Sequence, residues 1–290
     1  MKSDIQAIRY GLIAVFLWST VATAFKYSLT YLSPAQLVLY ASLTSLIILL
    51  FISIKQNKLK LVYSYIKERY ILIFLLGGIN PFLYYLVLFK AYDLLPAQEA
   101  QAINYTWALM LAYLAVPFLK QKLTIKDFIA GVICYFGVLI ISTKGDPLSL
   151  NFSNLEGVLF ALLSTVLWAI YWIFNTKTKV DPVVGLFSNF LFATPLIVIY
   201  NLYMEPISLP AINGVLGAIY IGFFEMGVTF LFWLKAMQIT TSTSKIANLI
   251  FISPFFSLIF IYFILDEQIY LSTIFGLVFI IVGLLVQKKR

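Results

Sequence analysis

One carboxylate stands in the middle of an apolar stretch, where an ionisable side chain is costly and is by default a candidate functional group. Glu225 follows Gly222 by three residues and Ala218 by seven, and Gly214, Ala218 and Gly222 form a stripe of small residues. Such a stripe lets two helices approach closely, and at about 100° per residue Glu225 is expected on the same buried face. Two interpretations stay open. Glu225 either binds an amine or carries a proton, or it makes a structural hydrogen bond.

Polar residues recur at helical spacing in three further apolar stretches, which puts each set on one helix face. The sets are Ser19, Thr23, Lys26 and Thr30; Glu99, Thr106 and Tyr113; and Thr241, Lys245 and Asn248. A polar face on a membrane helix points to water or to protein, so the first set is expected to line a path. Thr23 and Asn248 are therefore candidates for contact with a bound molecule.

The charged members of these sets have alternative explanations. Lys26 either binds a substrate carboxylate or extends to the membrane interface. Glu99 lies in a first helical turn, where a carboxylate suits the helix dipole, so capping competes with substrate contact. Lys245 is interpreted as an orientation charge, and Lys90 as the partner of Asp93 three residues on.

Aromatic residues are abundant, at 17% of the chain. Many are expected at the membrane interfaces or in packing. Those deep within apolar stretches could instead wall a cavity that suits an amphipathic or aromatic small molecule. The candidates for this wall are Trp18, Tyr84, Tyr105, Trp107, Trp168 and Tyr171.

These residues are positioned by two similar halves of the chain. Sliding the sequence by 145 positions lays Lys90-Ala91 on Lys235-Ala236, Gly77 on Gly222 and Gly131 on Gly276. The chain is therefore interpreted as two copies of one unit, residues 1–145 and 146–290. The same slide lays Asn80 on Glu225, where the copies differ in a way that chemistry can use, so Asn80 joins the candidates.

The composition predicts an all-α membrane protein. Hydrophobic residues make up 62% of the chain, charged residues 11%, and the mean hydropathy is +0.97. A soluble fold cannot bury so much apolar surface, and a membrane helix needs about 20 apolar residues. Ten spans are predicted, at about 10–29, 34–54, 70–92, 96–119, 125–143, 155–176, 182–203, 211–236, 240–264 and 269–287.

The basic residues predict the orientation of these spans. With the N-terminus in the cytoplasm, 17 of the 20 lysines and arginines fall on the cytoplasmic side. This bias places both termini in the cytoplasm and explains the net charge of +8 without a nucleic-acid partner. Five spans per copy is an odd number, so the two copies have opposite orientations. Such inverted repeats are typical of transporters, with the substrate site near the midplane.

Several classes of site are excluded by what the sequence lacks. It contains no histidine, so metal sites and catalytic triads that need imidazole are excluded. Its single cysteine, Cys134, cannot form an intramolecular disulfide. It has no phosphate-binding loop for ATP and no convergent acid-base set, so we expect no cofactor and no enzyme activity. A cleavable signal peptide over residues 1–24 is rejected because its removal would leave the repeat lopsided.

Two motifs carry a resemblance to a known family. The run Gly11-Leu-Ile-Ala-Val-Phe-Leu-Trp18-Ser-Thr20 and the pair Asp266-Glu267 before the last span resemble the EamA-type branch of the drug/metabolite transporter superfamily. Trp18-Ser19-Thr20 and Asn104-Tyr105-Thr106-Trp107 further resemble its aromatic amino-acid exporter group. The resemblance implies export of small metabolites, with spans one, three, four, six, eight and nine lining a central cavity.

Together these features predict a monomeric carrier of the cell inner membrane that exports amino acids, aromatic or hydrophobic ones in particular, by alternating access. Tyr84 and the tryptophans would wall the cavity, and Glu225 would be its polar anchor or proton site. The alternative is uptake or exchange of an anionic metabolite, which the lysines suggest: Lys26, Lys90, Lys235 and Lys245. A purely structural membrane protein would not need polar stripes on several helices.

Overall fold

The computed structural model describes residues 2–149, 151–205, 210–240, 246 and 249–288. Asn248, with Thr241 and Lys245, lies outside the described residues. No strand occurs in these ranges. Eight helices are long and apolar enough to cross a membrane, and two shorter apolar helices cover 250–265 and 271–287. These ranges confirm the prediction of an all-helical protein with helices long and apolar enough to cross a membrane.

The first half of the chain contains α1 Lys2–Leu29, α2 Pro34–Lys55, α3 Leu59–Gly77, α4 Tyr84–Leu94, α5 Ala97–Asn104, α6 Trp107–Leu119 and α7 Ile125–Ser142. The second half contains α8 Leu155–Lys177, α9 Pro182–Met204, α10 Ile212–Phe223, α11 Thr229–Ile239, a 3₁₀ turn Ile250–Ile252, α12 Ser253–Leu265 and α13 Leu271–Lys288. α3 begins about eleven residues before the predicted third span. Its first turns carry exposed charged residues, including Lys60 and Lys67, so hydropathy did not count them as span.

Polar caps fix several helix starts. Ser33 and Gln36 form a reciprocal capping box at the start of α2, with both hydrogen bonds at 3.2 Å. Asp181 accepts hydrogen bonds from the Val183 and Val184 amides at the start of α9. These caps satisfy amides that have no partner within the helix, so α2 and α9 begin at defined residues.

Two π-helical segments interrupt the long helices at matching places. The first, π1, covers Gly78–Leu83 between α3 and α4, and the second, π2, covers Phe224–Val228 between α10 and α11. The slide of 145 residues that aligns the halves brings Leu83 onto Val228, so both segments end at the same position. π1 contains Asn80 and π2 contains Glu225, the pair at which the halves differ. π-bulges are frequent at functional sites.

Two glycines just before these segments pack directly against helices of the other half of the chain. A Cβ at Gly77 would lie 2.5 Å from the Asn189 carbonyl oxygen of α9, and a Cβ at Gly222 would collide with the Ala41 carbonyl oxygen of α2. The backbones of α3 and α9, and of α10 and α2, therefore touch directly. The close approach expected from the small residues before Glu225 is present.

Helix contacts follow one pattern in both halves. α1 packs on α11 and α12, and α8 packs on α4 and α6. α2 packs on α9 and α7 packs on α13, where each helix meets its own counterpart. Exchanging the halves reproduces all of these pairs. The α7–α13 contact runs through small residues, because a Cβ at Gly137 would lie 2.5 Å from the Gly276 carbonyl oxygen.

Candidate functional site

A cavity of about 750 Å³ lies among helices of both halves. Its wall takes residues from α1, α4, α5, α6, α8, π2, α11 and the 3₁₀ turn at 250–252. These elements belong to the six spans that the family resemblance named. α13 adds Leu284 and Gln287, which the resemblance did not anticipate. A cavity of this size matches the volume of sites for small organic molecules.

Six of the ten predicted site residues lie on this wall: Trp18, Tyr84, Tyr105, Trp107, Trp168 and Glu225. Thr23, Asn80 and Tyr171 are buried in the protein and lie off the wall. The tenth, Asn248, is outside the described residues. All five tryptophans of the chain line the cavity, although interface positions were expected for many aromatic residues.

The wall-facing side of α1 is apolar. Trp18, Val21, Ala22 and Phe25 line the cavity, with a spacing of three to four residues that marks one helix face. Thr23 is next to Ala22 in sequence and therefore points about 100° away from it. Ser19 and Thr23 of the polar set are buried against protein, Thr30 is exposed, and none of the four residues of the set lines the cavity.

Glu225 is the charged residue of the described wall. Its side chain is half-buried. The Tyr85 hydroxyl donates a hydrogen bond of 3.2 Å to Glu225 Oε1, and the Trp18 indole is a second hydrogen-bond partner of the carboxylate. Two neutral donors from α4 and α1 thus orient the carboxylate from two sides.

The π2 segment explains where Glu225 points. On an unbroken α-helix Glu225 would share the packed face of Gly222. Phe230 would then point about 140° away from Glu225 around the helix axis. A π turn holds more residues than an α turn and rotates the residues after it about the helix axis. Gly222 therefore packs on α2 while Glu225 and Phe230 both face the cavity. Glu225 therefore faces the cavity and not, as expected, the packed stripe of Gly214, Ala218 and Gly222.

Aromatic rings form a connected wall beside the carboxylate. Tyr84 stacks on Trp168 with ring centroids 4.5 Å apart and an interplanar angle of 24°. The ring centroid of Phe230 lies 6.3 Å from that of Trp168 and 5.5 Å from that of Trp18, so Phe230 connects the two tryptophans. Trp18 in turn lies 5.3 Å from Trp233. These separations are typical of favourable aromatic pairs.

A polar cluster supports this wall from behind. Tyr171 stacks on Trp168 at 5.6 Å. Its hydroxyl accepts a hydrogen bond of 3.4 Å from the Asn189 side-chain amide and is also hydrogen-bonded to Asn80. The predicted candidates Asn80 and Tyr171 therefore hold Trp168 in place and do not border the cavity.

One end of the cavity is closed by packed rings and a lysine. Phe25 contacts Phe89 at 4.8 Å and Tyr92 at 5.2 Å between ring centroids. Lys26 Nζ donates to the carbonyl oxygens of Tyr92 at 2.7 Å and Leu95 at 2.8 Å. A cation at the C-terminus of α4 suits the helix dipole. Lys26 therefore fastens α1 to α4 above the cavity.

The same end carries a hydrogen-bonded latch between the halves, formed by Gln98, Glu267 and Thr273. Glu267 accepts hydrogen bonds from the Ala97 amide at 3.0 Å and from Gln98 Nε2 at 2.9 Å. Gln98 Oε1 accepts from the Thr273 hydroxyl at 2.7 Å and from the Tyr270 amide at 3.2 Å. The latch ties the start of α5 to the loop before α13.

The opposite end of the cavity is open. Leu119, Gln121 and Gln287 belong to the wall there, and the first two are exposed. Lys177 Nζ donates to the Phe118 carbonyl oxygen at this end. The described part of the chain thus forms a cavity with one open mouth, at the loop that joins α6 to α7.

The remaining charged candidates lie away from the wall. Lys90 pairs with Asp93 at 3.0 Å, and Lys235 is exposed. Both oxygens of Glu99 accept from the Ser153 hydroxyl at 2.7 Å, and Glu99 is only 3% exposed. No group of three or more His, Cys, Asp or Glu side chains that could hold a metal ion occurs in the described ranges.

Phe230, Gln101 and Tyr85 are site residues that sequence reasoning missed. Phe230 follows Glu225 by five residues, a spacing that an α-helix would place on another face. Gln101 lines the cavity from α5 and sits two residues after Glu99. Tyr85 donates a hydrogen bond to Glu225, but no pattern in the sequence connects the two residues.

Comparisons with known proteins agree on one family. The family model described as the EamA-like transporter family matches residues 5–143 and again residues 155–287. An uncharacterized transporter of Archaeoglobus fulgidus is 25% identical over 96% of this chain and 97% of its own length. An uncharacterized transporter of Bacillus subtilis, YyaM, is 27% identical over 90% of this chain and 86% of its own.

Two further matches are partial or structural. An uncharacterized transporter of Clostridium kluyveri is 26% identical over 63% of this chain, and the match spans 64% of that relative's length, slightly under two thirds. A crystal structure of a protein superposes with a TM-score of 0.69 over 97% of this chain and 96% of its own, at 18% identity. At that identity the likeness concerns the fold alone.

Proposed function

Because the chain belongs to the EamA-like transporter family, we propose that it is a secondary transporter that exports small amphipathic amines, amino acids with aromatic or hydrophobic side chains among them. The membership agrees with the resemblance of the first span. The observation that carries the proposal is the cavity, whose described residues form an open mouth, an aromatic wall and a single carboxylate. Such a site offers apolar surface to a side chain and a hydrogen-bond acceptor to an amine.

We further propose that residues 1–145 and 146–290 are inverted five-helix repeats in a ten-span protein. The family model matches each half separately. π1 and π2 end at equivalent positions, and the helix contacts are preserved when the halves are exchanged. A cavity between two such halves is the usual place for a transport site.

Alternating access then requires the closed end to open while the open end closes. Opening the closed end must separate the rings around Phe25. It must also break the hydrogen bonds of Lys26 and those of the latch formed by Gln98, Glu267 and Thr273. We propose that the open end faces the cytoplasm, since its loops carry most of the basic residues. The cavity is walled by one chain, which supports a functional monomer in the inner membrane.

The lysines give little support to transport of an anion. Lys26 donates to backbone carbonyls, Lys90 pairs with Asp93, and Lys235 lies off the wall. A substrate phosphate or carboxylate would therefore meet no lysine of the described wall.

The proposal is tested by uptake of labelled amino acids and amines into proteoliposomes, with and without a pH gradient. We expect counterflow in vesicles with the protein and none in empty vesicles. In the Glu225→Gln variant we expect transport to fall at least about tenfold and its pH dependence to flatten, because the amide neither carries a proton nor balances an amine. Unchanged uptake and pH dependence in this variant would contradict both roles of Glu225.

A matched control is Glu156→Gln, the same chemical change at an exposed carboxylate in the first turn of α8. Its transport should equal that of the wild type. If the wild-type protein transports neither amino acids nor amines, the proposed function is wrong.

A further inference from the structure

The described residues of the cavity wall carry negative charge and no positive charge. Among the described residues of its wall, Glu225 is acidic and none is basic. The neutral polar groups are few and include Gln101, Asn104 and Gln287. A charged carboxylate in an apolar cavity is unfavourable unless a positive charge balances it or a proton neutralises it.

The described part of the protein supplies no such positive charge. The hydrogen-bond partners of Glu225 are the hydroxyl of Tyr85 and the indole of Trp18, both neutral. Lysine and carboxylate side chains of the described residues form the pairs Lys58–Asp181 and Lys90–Asp93, and neither pair touches the cavity. A cationic occupant would therefore be the counter-ion that the described residues do not supply to Glu225.

The rings beside Glu225 favour the same kind of occupant. Phe230 lies between Trp18 and Trp168, with ring centroids 5.5 and 6.3 Å away, and Tyr84 stacks on Trp168. Aromatic faces attract ammonium groups within about 6 Å of the ring centroid. Trp168 is covered by stacked rings, so the carboxylate together with the partly exposed rings of Trp18 and Phe230 suits an ammonium group with an apolar body.

A second, negative group on the occupant would find no equivalent partner. Lys26, near the closed end of the cavity, donates to backbone carbonyl oxygens of Tyr92, Asp93 and Leu95. The Asn104 side-chain amide donates to the Ser164 hydroxyl at 2.8 Å. A substrate carboxylate would thus exchange its hydration for neutral donors of the described wall, such as the Gln101 and Gln287 amides, and would be repelled by a charged Glu225.

We infer that the cavity prefers an organic monocation, an alkyl or aryl ammonium without a carboxylate, over the zwitterionic amino acid of the same size. The inference rests on the proposed transport function and narrows its substrate class. It makes the amine the feature that is recognised and the aromatic wall the surface that holds the body of the molecule. The α-carboxylate of an amino acid reduces affinity in this site.

A series of three ligands on one scaffold tests the inference. Phenethylamine is a cation, phenylalanine a zwitterion and 3-phenylpropionate an anion, and all three carry the same ring. Binding to the full-length protein in lipid nanodiscs is followed by intrinsic fluorescence, because all five tryptophans line the cavity. We expect phenethylamine to bind at least about tenfold more tightly than phenylalanine, and 3-phenylpropionate most weakly.

Variants assign the preference to Glu225. Glu225→Gln should lose the preference for phenethylamine, and Glu225→Asp should keep the order of the three ligands. Glu156→Gln should bind all three ligands as the wild type does. If Glu225→Gln does not fold, the reverse experiment remains: Gln101→Lys, which adds a cation to the wall, should improve phenylalanine relative to phenethylamine.

The outcomes separate the inference from the proposed function. If phenylalanine binds as tightly as phenethylamine or more tightly, and is transported, the inference is wrong and the transport of amino acids stands. An unchanged order of ligands in Glu225→Gln also overturns the inference. If none of the three ligands is bound or transported in any assay, both the inference and the proposed function fail.

Discussion

At the scale of single residues, the site depends on rings that touch one another as well as the occupant. Phe230 joins Trp18 to Trp168, and its own position depends on the π2 segment. Removing this ring separates the two parts of the aromatic wall. We therefore expect the loss of the Phe230 ring to reduce ligand affinity more than the stability of the fold.

We predict that Phe230→Ala weakens binding of an aromatic ligand by about 2- to 10-fold, the range expected when one aromatic contact is lost. Tryptophan fluorescence titration measures the change. Phe263→Ala is the control, since Phe263 is 77% exposed on α12 and far from the wall. Equal affinities of wild type and Phe230→Ala would show that this ring is not part of the binding surface.

Residue types identified much of the wall from the sequence alone, and geometry explains the failures. Trp18, Trp168 and Glu225 stood out because large rings and charges are conspicuous deep in apolar stretches. Thr23 was chosen by helical periodicity, which defines a face but does not tell which neighbour it meets. Phe230 was missed because an α-helical spacing does not hold across a π turn.

At the scale of helices, close backbone contact between the halves is the main constraint. Gly77 and Gly78 are adjacent, yet a Cβ at Gly77 would lie 2.5 Å from the Asn189 carbonyl oxygen, whereas a Cβ at Gly78 meets nothing within 4 Å. The two positions form a matched pair in the same stretch of chain.

We predict that Gly77→Ala destabilises the protein by about 1–3 kcal/mol, the usual cost of overpacking. Gly78→Ala should be neutral or slightly stabilising, since Gly78 has helical φ and ψ angles and alanine favours the helix. Thermal unfolding in detergent, followed by circular dichroism, compares the two variants. A lower melting temperature for Gly78→Ala than for Gly77→Ala would contradict the packing described.

The latch at the closed end is the second feature at this scale. We predict that Gln98→Ala lets water reach the closed end of the cavity more often, because Glu267, Thr273 and the Tyr270 amide lose their shared partner. A cysteine at the buried wall position Leu88, with Cys134 replaced by alanine, reports this opening through its rate of maleimide labelling.

The expected change is a severalfold faster labelling of Leu88→Cys from the closed end. Gln56→Ala removes the same type of side chain from an exposed position at the end of α2 and serves as control. Identical labelling rates in the two backgrounds would mean that the latch does not limit opening at this end.

At the scale of the whole molecule, composition predicted the helical membrane class, and the motifs around Trp18 and Glu267 carried the resemblance to the family. Hydropathy predicted apolar helices, eight of which are long enough to cross a membrane in the described ranges, and their pairing depends on which faces are apolar. The sequence could not indicate which end of the cavity is open, because that depends on contacts between distant residues such as Gln98 and Thr273. The π segments also left no recognisable signal in composition.

Orientation in the membrane gives a prediction for the whole chain. With Cys134 replaced by alanine, a cysteine at Gln121 should be labelled only from the cytoplasmic side, and one at Leu148 only from the outside. Both positions are exposed, on loops at opposite ends of the protein. A membrane-impermeant maleimide applied to intact cells and to inverted vesicles distinguishes the sides. The reverse pattern would invert the proposed direction of the open mouth.

The pairing of α7 with α13 limits how the molecule can rearrange. Where helices meet through long side chains, rotamers can change and the helices can slide past each other. Here Gly137 and Gly276 bring the two backbones into direct contact, and Gly283 lies against the Ala130 carbonyl oxygen and Cys134 Sγ, so few long side chains separate the two helices at these points. These two helices contribute little to the cavity wall. We therefore expect α7 and α13 to stay together as one rigid pair when the other helices rearrange.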